Sequence, residues 1–137
     1  MGLQLGTRSI ERIGVVGSGN IGPDIALHFA KALHADSVPI VVVDVSPEAL
    51  AKGQAKAAGK IAKGRESGAL TPEAADAMLR SLTFTSEYGQ LAGATLVIEA
   101  ATENLALKQT IFARLAQLCG PHTVLASNSS HIEPEAL

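Results

Sequence analysis

The sequence RIGVVGSGNIGP, residues 12–23, decides the fold, because a short apolar run ends in three closely spaced glycines. The apolar run predicts a buried strand. Gly17, Gly19 and Gly22 then follow the G-x-G-x-x-G pattern, which joins a strand to a helix and can cradle a pyrophosphate. The alternative is a tight turn that binds no ligand. Pro23 lies in or next to the first helical turn, where a missing N–H costs least, so we expect it to leave the site intact.

The physics of a dinucleotide turn assigns a role to each glycine. Gly17 permits the tight turn, Gly19 lets the backbone approach the pyrophosphate, and Gly22 lets the helix pack closely on the strand. The N–H groups near Asn20 and Ile21 lie at the positive end of the helix dipole, where they can donate to phosphate oxygens. These five residues are the predicted phosphate-binding group.

Strand signals and helix signals alternate along the whole chain. The second strand signal, VPIVVVD at 38–44, is rich in β-branched residues and ends at an acid. Alternating strands and helices build parallel sheets through right-handed crossovers, so the sequence predicts an α/β fold of Rossmann type. This is a doubly wound, mostly parallel sheet with helices on both faces. The other predicted elements are helices over about 20–34, from Ser46 and from Thr71, strands at 82–85, 94–101 and 123–127, and a helix over 104–119.

The first predicted helix carries an apolar stripe with spacings near 3.6 residues, which we expect to face the sheet. Its members are Ile21, Ile25, Phe29 and Leu33. Gly68 is predicted to separate the second helix from the third.

Asp44 ends the second predicted strand, where the dinucleotide motif places an acid that accepts hydrogen bonds from the adenosine ribose. A 2′-phosphate there would meet a like charge, and the neighbouring residues Val45 and Ser46 provide no compensating arginine. The sequence therefore favours NAD over NADP. The alternative is that Asp44 only caps a turn.

The composition excludes several classes of function. The chain has 137 residues, 47% of them hydrophobic, with a net charge of −2 and only 3% aromatic residues. The chain has neither the excess of basic residues nor the aromatic rings that nucleic-acid binding uses. No apolar run is long enough to span a bilayer. No spacing of His, Cys and Asp suggests a metal site. The single Cys119 fits a reducing cytoplasm.

Two later stretches carry a specific resemblance to a known family. They are LVIEAATENLALKQTIF at 96–112 and VLASNSS at 124–130. Together with the glycine turn they resemble the N-terminal NAD-binding domain of the L-3-hydroxyacyl-CoA dehydrogenase family, whose pattern reads approximately V-[IV]-E-A-x-x-E-x-x-x-x-K and then A-S-N-T-S. The resemblance covers residues 12–135 and implies NAD as cofactor and an acyl-CoA thioester as substrate.

The resemblance also implies roles for four residues. Glu103 matches the glutamate that contacts the nicotinamide ribose, and Lys108 matches a lysine on the same side of the cofactor. Ser130 matches the catalytic serine that hydrogen-bonds the 3-hydroxyl or carbonyl oxygen of the substrate, and Asn128 shapes the same loop. Alternatively, Glu103 is a first-turn acid that satisfies the helix dipole and Lys108 is a solvated residue one turn later.

Four lysines recur on one face of the second predicted helix, at Lys52, Lys56, Lys60 and Lys63. The resemblance implies that Lys60 and Lys63 attract the coenzyme A phosphates, because the family binds its thioester near this helix. A merely solvated face is the alternative.

The implied reaction is oxidation of an L-3-hydroxyacyl-CoA to the 3-ketoacyl-CoA, of the fatty acid β-oxidation type, with a histidine as general base oriented by a glutamate. In the family both residues follow the serine loop, and a helical C-terminal domain carries the dimer contact. We therefore expect residues 1–137 to form one NAD-binding domain that is incomplete at its C-terminus and binds NAD without turnover. Two alternatives stay open, another hydroxyacid or sugar-acid dehydrogenase, and a non-catalytic NAD-binding or redox-sensing module.

Overall fold

A computed structural model describes residues 3–5, 8–19, 21–100, 105–118 and 123–127. The side chains of 3–5, 8–10, 105, 107, 108 and 127 are outside this description. The described strands and helices are, in chain order, β1 Leu3–Leu5, β2 Arg8–Ile10, β3 Ile13–Val16, α1 Gly22–Leu33, β4 Ile40–Val43, α2 Pro47–Ser67, α3 Pro72–Ser81, β5 Leu82–Thr85, β6 Leu96–Glu99, α4 Leu105–Leu118 and β7 Val124–Ser127.

Five of these strands form one parallel sheet in the order β5-β4-β3-β6-β7. The chain runs outward from β3 to β5, then returns to the other side of β3 with β6 and β7. The topological switch point therefore lies between β3 and β6, where doubly wound sheets bind their ligands. The predicted fold class and all five predicted strands of this sheet are confirmed.

The core consists of two apolar layers, one on each face of the sheet. On one face, Ile13, Val15 and Val42 pack with buried residues of α1, α2 and α3. On the other face, Val41 and Val97 pack with α4 and with a 3-10 turn at Tyr88–Leu91. Burial on both faces explains why β3 and β4 are apolar at every position except Gly14.

The predicted helix ends are confirmed by their hydrogen bonds. The Ser46 hydroxyl accepts a hydrogen bond from the Ala49 N–H at 3.2 Å, and Thr71 caps α3 in the same way. Gly68 ends α2 in the left-handed conformation, with φ of 84°. These are local signals, and local residues satisfy them.

The predicted stripe on α1 is partly wrong. The buried residues of this helix are Gly22, Pro23, Ala26, Ala30 and Leu33. Ile21 precedes the helix and is 50% exposed, while Ile25 and Phe29 are partly buried beside the core. Small residues face the sheet because they let the helix approach the strands closely, and the larger side chains then pack on either side.

Strands β1 and β2 and the 3-10 turns were not predicted. Strands β1 and β2 pair antiparallel as a separate two-stranded sheet. The 3-10 turn at Tyr88–Leu91 lies between β5 and β6. Segments of three or four residues are too short to show a hydrophobic period.

No helix in the described part of the chain is both long enough and apolar enough to cross a membrane.

Two glycines inside α2 have opposite surroundings and give a matched pair of substitutions. A Cβ at Gly53 would overlap Ser18 Oγ and lie 2.8 Å from Pro23 Cγ, whereas a Cβ at Gly59 would meet no atom within 4 Å. We expect Gly59→Ala to raise the free energy of unfolding by about 0.5–1 kcal/mol through helix propensity. We expect Gly53→Ala to lower it by about 1–3 kcal/mol through overpacking.

Urea unfolding followed by circular dichroism measures both changes. Equal stabilisation by the two substitutions would contradict the close packing of α2 on residues 18 and 23.

Candidate functional site

The glycine turn after β3 has the geometry that a phosphate-binding backbone needs. Gly17 has a φ of 112°, and its N–H donates to the Val43 carbonyl at 2.7 Å. A Cβ at Gly22 would overlap the Gly17 carbonyl oxygen, so a glycine is required there. Gly19 is exposed, and a Cβ placed on it would meet nothing within 4 Å. The backbone at Gly19 is therefore open to a bulky anion.

The N-terminus of α1 adjoins this turn. Helices α2 and α3 are capped by the hydroxyls of Ser46 and Thr71, but α1 has no side-chain cap within the described residues. Its first-turn N–H groups are left for solvent or for an anionic ligand. Pro23 is one of the first two residues of the helix, where its missing N–H removes no helical hydrogen bond.

Asp44 links the end of β4 to the glycine turn. Its Oδ2 accepts from the Ser18 N–H at 2.8 Å, and its Oδ1 accepts from the Ser46 N–H at 2.9 Å. Asp44 therefore caps turns, which is the alternative role that the sequence left open for it. A carboxylate has about four acceptor sites, so a half-buried Asp44 keeps capacity for ribose hydroxyls as well.

Ser18 is a residue of the site that the sequence analysis missed. It is 1% exposed, and its hydroxyl donates to the Ala49 carbonyl in α2 at 2.9 Å. The glycine turn is thus held from two sides, by Asp44 through the Ser18 backbone and by α2 through the Ser18 side chain. Gly53 could have indicated this contact from the sequence, because a glycine inside a helix often marks the close approach of another segment.

A cavity of about 320 Å³ opens beside Asp44 at the carboxyl ends of β3 and β4. Val16, Val43 and Ile111 contribute apolar surface to it, and Tyr88 and Arg114 form part of its wall. The residues that follow Asp44 in the sequence, Val45 and Ser46, provide no arginine, as predicted. The structure adds an arginine from a distant segment, because α4 brings Arg114 to the same cavity across 70 residues of sequence.

Tyr88 and Glu99 are buried polar residues near this cavity. Burial raises the pKa of the Tyr88 hydroxyl, while the charge of Arg114 acts in the opposite direction. Glu99 ends β6 and is fully buried. Its register partners are Val16 on β3 and Ser127 on β7, so the carboxyl ends of these three strands lie side by side.

The lysines of α2 are exposed as predicted, and two of them have a partner on α1. Lys60 Nζ donates to Asp24 Oδ1 at 2.7 Å, and Lys56 Nζ donates to Oδ2 at 3.1 Å. The hydrogen bond from Lys60, aided by Lys56, holds the pKa of Asp24 below its usual value. Lys63 is exposed and makes no ion pair with any described residue.

Several predicted site residues lie outside the described residues. They are Asn20, Glu103, Asn128 and Ser130. Lys108 belongs to α4, but its side chain is not described. Their assigned roles stay predictions.

Comparison with known proteins identifies the family. A sequence model described as "3-hydroxyacyl-CoA dehydrogenase, NAD binding domain" matches residues 12–137. The chain belongs to this family. Its cofactor is NAD, and the glycine turn, Asp44 and the cavity beside Asp44 form a site that fits a dinucleotide.

Individual relatives agree with the family. The chain is 34% identical over 133 residues to 3-hydroxyadipyl-CoA dehydrogenase from Escherichia coli K12, covering 94% of this chain and 26% of that protein. It is 33% identical over 131 residues to a peroxisomal fatty acid β-oxidation multifunctional protein from rice, covering 96% of this chain and 18% of that protein.

A solved structure shows the same fold. The crystal structure of 3-hydroxybutyryl-CoA dehydrogenase from Escherichia coli K12 superposes with a TM-score of 0.86 at 35% identity, covering 93% of this chain and 26% of that one. The chain thus spans about a quarter or less of the length of these relatives.

Asp44→Ala tests the ribose contact. We expect the Kd for NAD, measured by isothermal titration calorimetry, to rise at least tenfold. A hydrogen bond to a charged group contributes about 1.5–3 kcal/mol, and about 1.4 kcal/mol is tenfold in affinity. Asp76→Ala is the control, because it removes an equally charged, exposed carboxylate on α3.

Thermal unfolding of both variants separates loss of the site from loss of the fold. If folded Asp44→Ala binds NAD as tightly as the control does, Asp44 has no role in binding the cofactor.

Proposed function

We propose that the protein containing this domain oxidises L-3-hydroxyacyl-CoA to 3-ketoacyl-CoA, with hydride transfer to NAD⁺, in fatty acid β-oxidation. The observation that carries the proposal is the convergence of the glycine turn, Asp44 and an apolar cavity at the carboxyl edge of the sheet in a domain of this family. The bound nicotinamide supplies the hydride chemistry. The residues of this chain bind the cofactor, orient it and hold the substrate oxygen.

The assigned catalytic region follows two strands whose ends are adjacent. Glu103 comes shortly after β6, and Asn128 and Ser130 come directly after β7. The register pairs Glu99 with Ser127, so β6 and β7 end side by side at the carboxyl edge of the sheet. This supports a nicotinamide ribose contact by Glu103 and Lys108, and a hydrogen bond from Ser130 to the substrate oxygen in a loop shaped by Asn128.

In the proposal, the general base is a histidine. The resemblance implies that this histidine follows the serine loop and that a glutamate after it orients its side chain. A homodimer formed through a helical C-terminal domain is part of the proposal, and so is a cytoplasmic setting, which the single Cys119 favours.

The exposed lysines of α2 support a thioester that carries phosphates. Lys60 and Lys63 lie one turn apart on this helix, so both can attract the coenzyme A phosphates. Asp24 already holds Lys60 at 2.7 Å. An arriving phosphate would therefore compete with Asp24 for the Lys60 ammonium group, while Lys63 is available directly.

The activity is tested on two proteins, residues 1–137 alone and a longer protein that includes the downstream histidine. We expect both to bind NAD and only the longer one to reduce it with L-3-hydroxyacyl-CoA, as followed by NADH absorbance. Reduction of NAD⁺ only with free hydroxyacids or sugar acids would contradict the proposal that the substrate is an acyl-CoA thioester. Binding without reduction by the longer protein would indicate a non-catalytic NAD module.

The double substitution Lys60→Ala, Lys63→Ala in the longer protein tests the phosphate contacts. We expect KM for the acyl-CoA to rise about fivefold with kcat unchanged, because exposed charge pairs contribute about 0.2–1 kcal/mol each. The increase should shrink at high salt. Lys31→Ala is the control for loss of a lysine outside this face, since Lys31 is exposed in the last turn of α1.

Asp24→Asn gives the reciprocal measurement. Release of Lys60 from the Asp24 carboxylate should lower KM for the acyl-CoA. An unchanged KM for the acyl-CoA in the double lysine variant would show that Lys60 and Lys63 belong only to a solvated face.

A further inference from the structure

The cavity beside Asp44 has an apolar interior and an uncovered rim. Val16, Val43 and Ile111 are buried residues that line it. Val45 also lines it, yet this β-branched side chain is 75% exposed. A flat, weakly polar ligand that entered the cavity would remove the Val45 surface from water. Its volume of about 320 Å³ is within the range of small-molecule sites.

One wall of this cavity is built from an arginine seated on a buried tyrosine. The guanidinium carbon of Arg114 lies 4.3 Å from the ring centroid of Tyr88. Tyr88 is only 8% exposed, so its ring is a fixed platform, whereas Arg114 is exposed. No described carboxylate lies within ion-pair distance of Arg114, although Asp44 lines the same cavity. Tyr88, and not an ion pair, therefore holds the guanidinium in place.

The position of Asp44 indicates what the cavity holds. When the Asp44 carboxylate accepts from the ribose hydroxyls of the adenosine half of NAD, the attached purine must lie within one sugar's length of it. The cavity is lined by Asp44 together with Val16 and Val43, and no residue of α2 belongs to its lining. A purine ring matches this apolar interior better than a ribose or a phosphate does.

We infer that Arg114, seated on Tyr88, is a binding residue for the adenine ring of NAD and stacks on it in this cavity. Guanidinium planes stack on nucleobases in the same way that they stack on aromatic side chains. The inference rests on NAD binding by the domain and does not depend on the proposed acyl-CoA activity. A 2′-phosphate is not the partner of Arg114 in this arrangement, because the Asp44 carboxylate repels it.

The test measures binding of ADP-ribose, which carries the adenosine half without the nicotinamide, to residues 1–137. We expect Arg114→Ala to raise the Kd about tenfold, the effect of losing one stacking partner of a base. Arg114→Lys should bind almost as weakly, because lysine keeps the charge and loses the plane. Arg80→Ala, which removes an exposed arginine of α3, should leave the Kd unchanged.

A measurement on the unmodified chain keeps the inference testable if a variant fails to fold. On saturation with ADP-ribose, the ring current of a stacked adenine should move the Arg114 Nε–H proton resonance upfield. No shift of that resonance overturns the inference. The inference is also overturned if Arg114→Lys binds ADP-ribose like the unmodified chain and Arg114→Ala weakens binding only at low salt. Arg114 would then act by charge alone.

Discussion

The hydrogen bond from the Ser18 N–H to the Asp44 carboxylate is the contact on which the cofactor site depends. It joins the turn after β3 to the end of β4, so the phosphate-binding backbone and the ribose acceptor are fixed relative to each other. The Ser18 hydroxyl extends the link to the Ala49 carbonyl of α2. This is possible only because Gly53 has no side chain where α2 passes the turn. Backbone, carboxylate and helix therefore form one unit before any ligand arrives.

The charges around the turn are balanced in a way that favours an anionic ligand. Asp24 lies in the first turn of α1, where its charge would oppose a nearby pyrophosphate. Lys56 and Lys60 bind this carboxylate from α2 and offset its charge. Lys60 also holds the pKa of Asp24 below its usual value, so this carboxylate stays ionised at neutral pH. The N–H groups at the start of α1 therefore act on the ligand without an uncompensated acid beside them.

The elements that could be predicted from sequence are those whose signals are local. Ser46, Thr71 and Gly68 act on residues within a few positions, so both ends of α2 and the start of α3 were predicted correctly. The apolar stripe of α1 was only partly correct, because helix periodicity gives the period of a face and not the size of residue that close packing on a sheet requires. Ala26 and Ala30 face the strands because they are small.

The parts of the site that escaped prediction depend on contacts distant in sequence. Arg114 reaches the cavity of Asp44 from α4, and Tyr88 comes from a 3-10 turn that shows no period. The glycine pattern and Asp44 could be identified from the sequence because the dinucleotide motif fixes their spacing within one βαβ unit. Such motifs specify the backbone and the ribose acceptor, whereas the surface that meets the base is assembled by the tertiary fold.

Helix α2 connects the cofactor site to the proposed acyl-CoA site through the side that faces α1. Gly53 of α2 packs near Pro23 of α1. Lys56 and Lys60 of α2 bind Asp24, which also lies on α1. Lys60 is two helical turns beyond Gly53, which corresponds to about 10 Å at 1.5 Å per residue. The Debye length at physiological salt is about 8 Å, so anions this far apart are largely screened from each other. A single rigid helix can thus serve the pyrophosphate of one ligand and the phosphates of another with little repulsion between them.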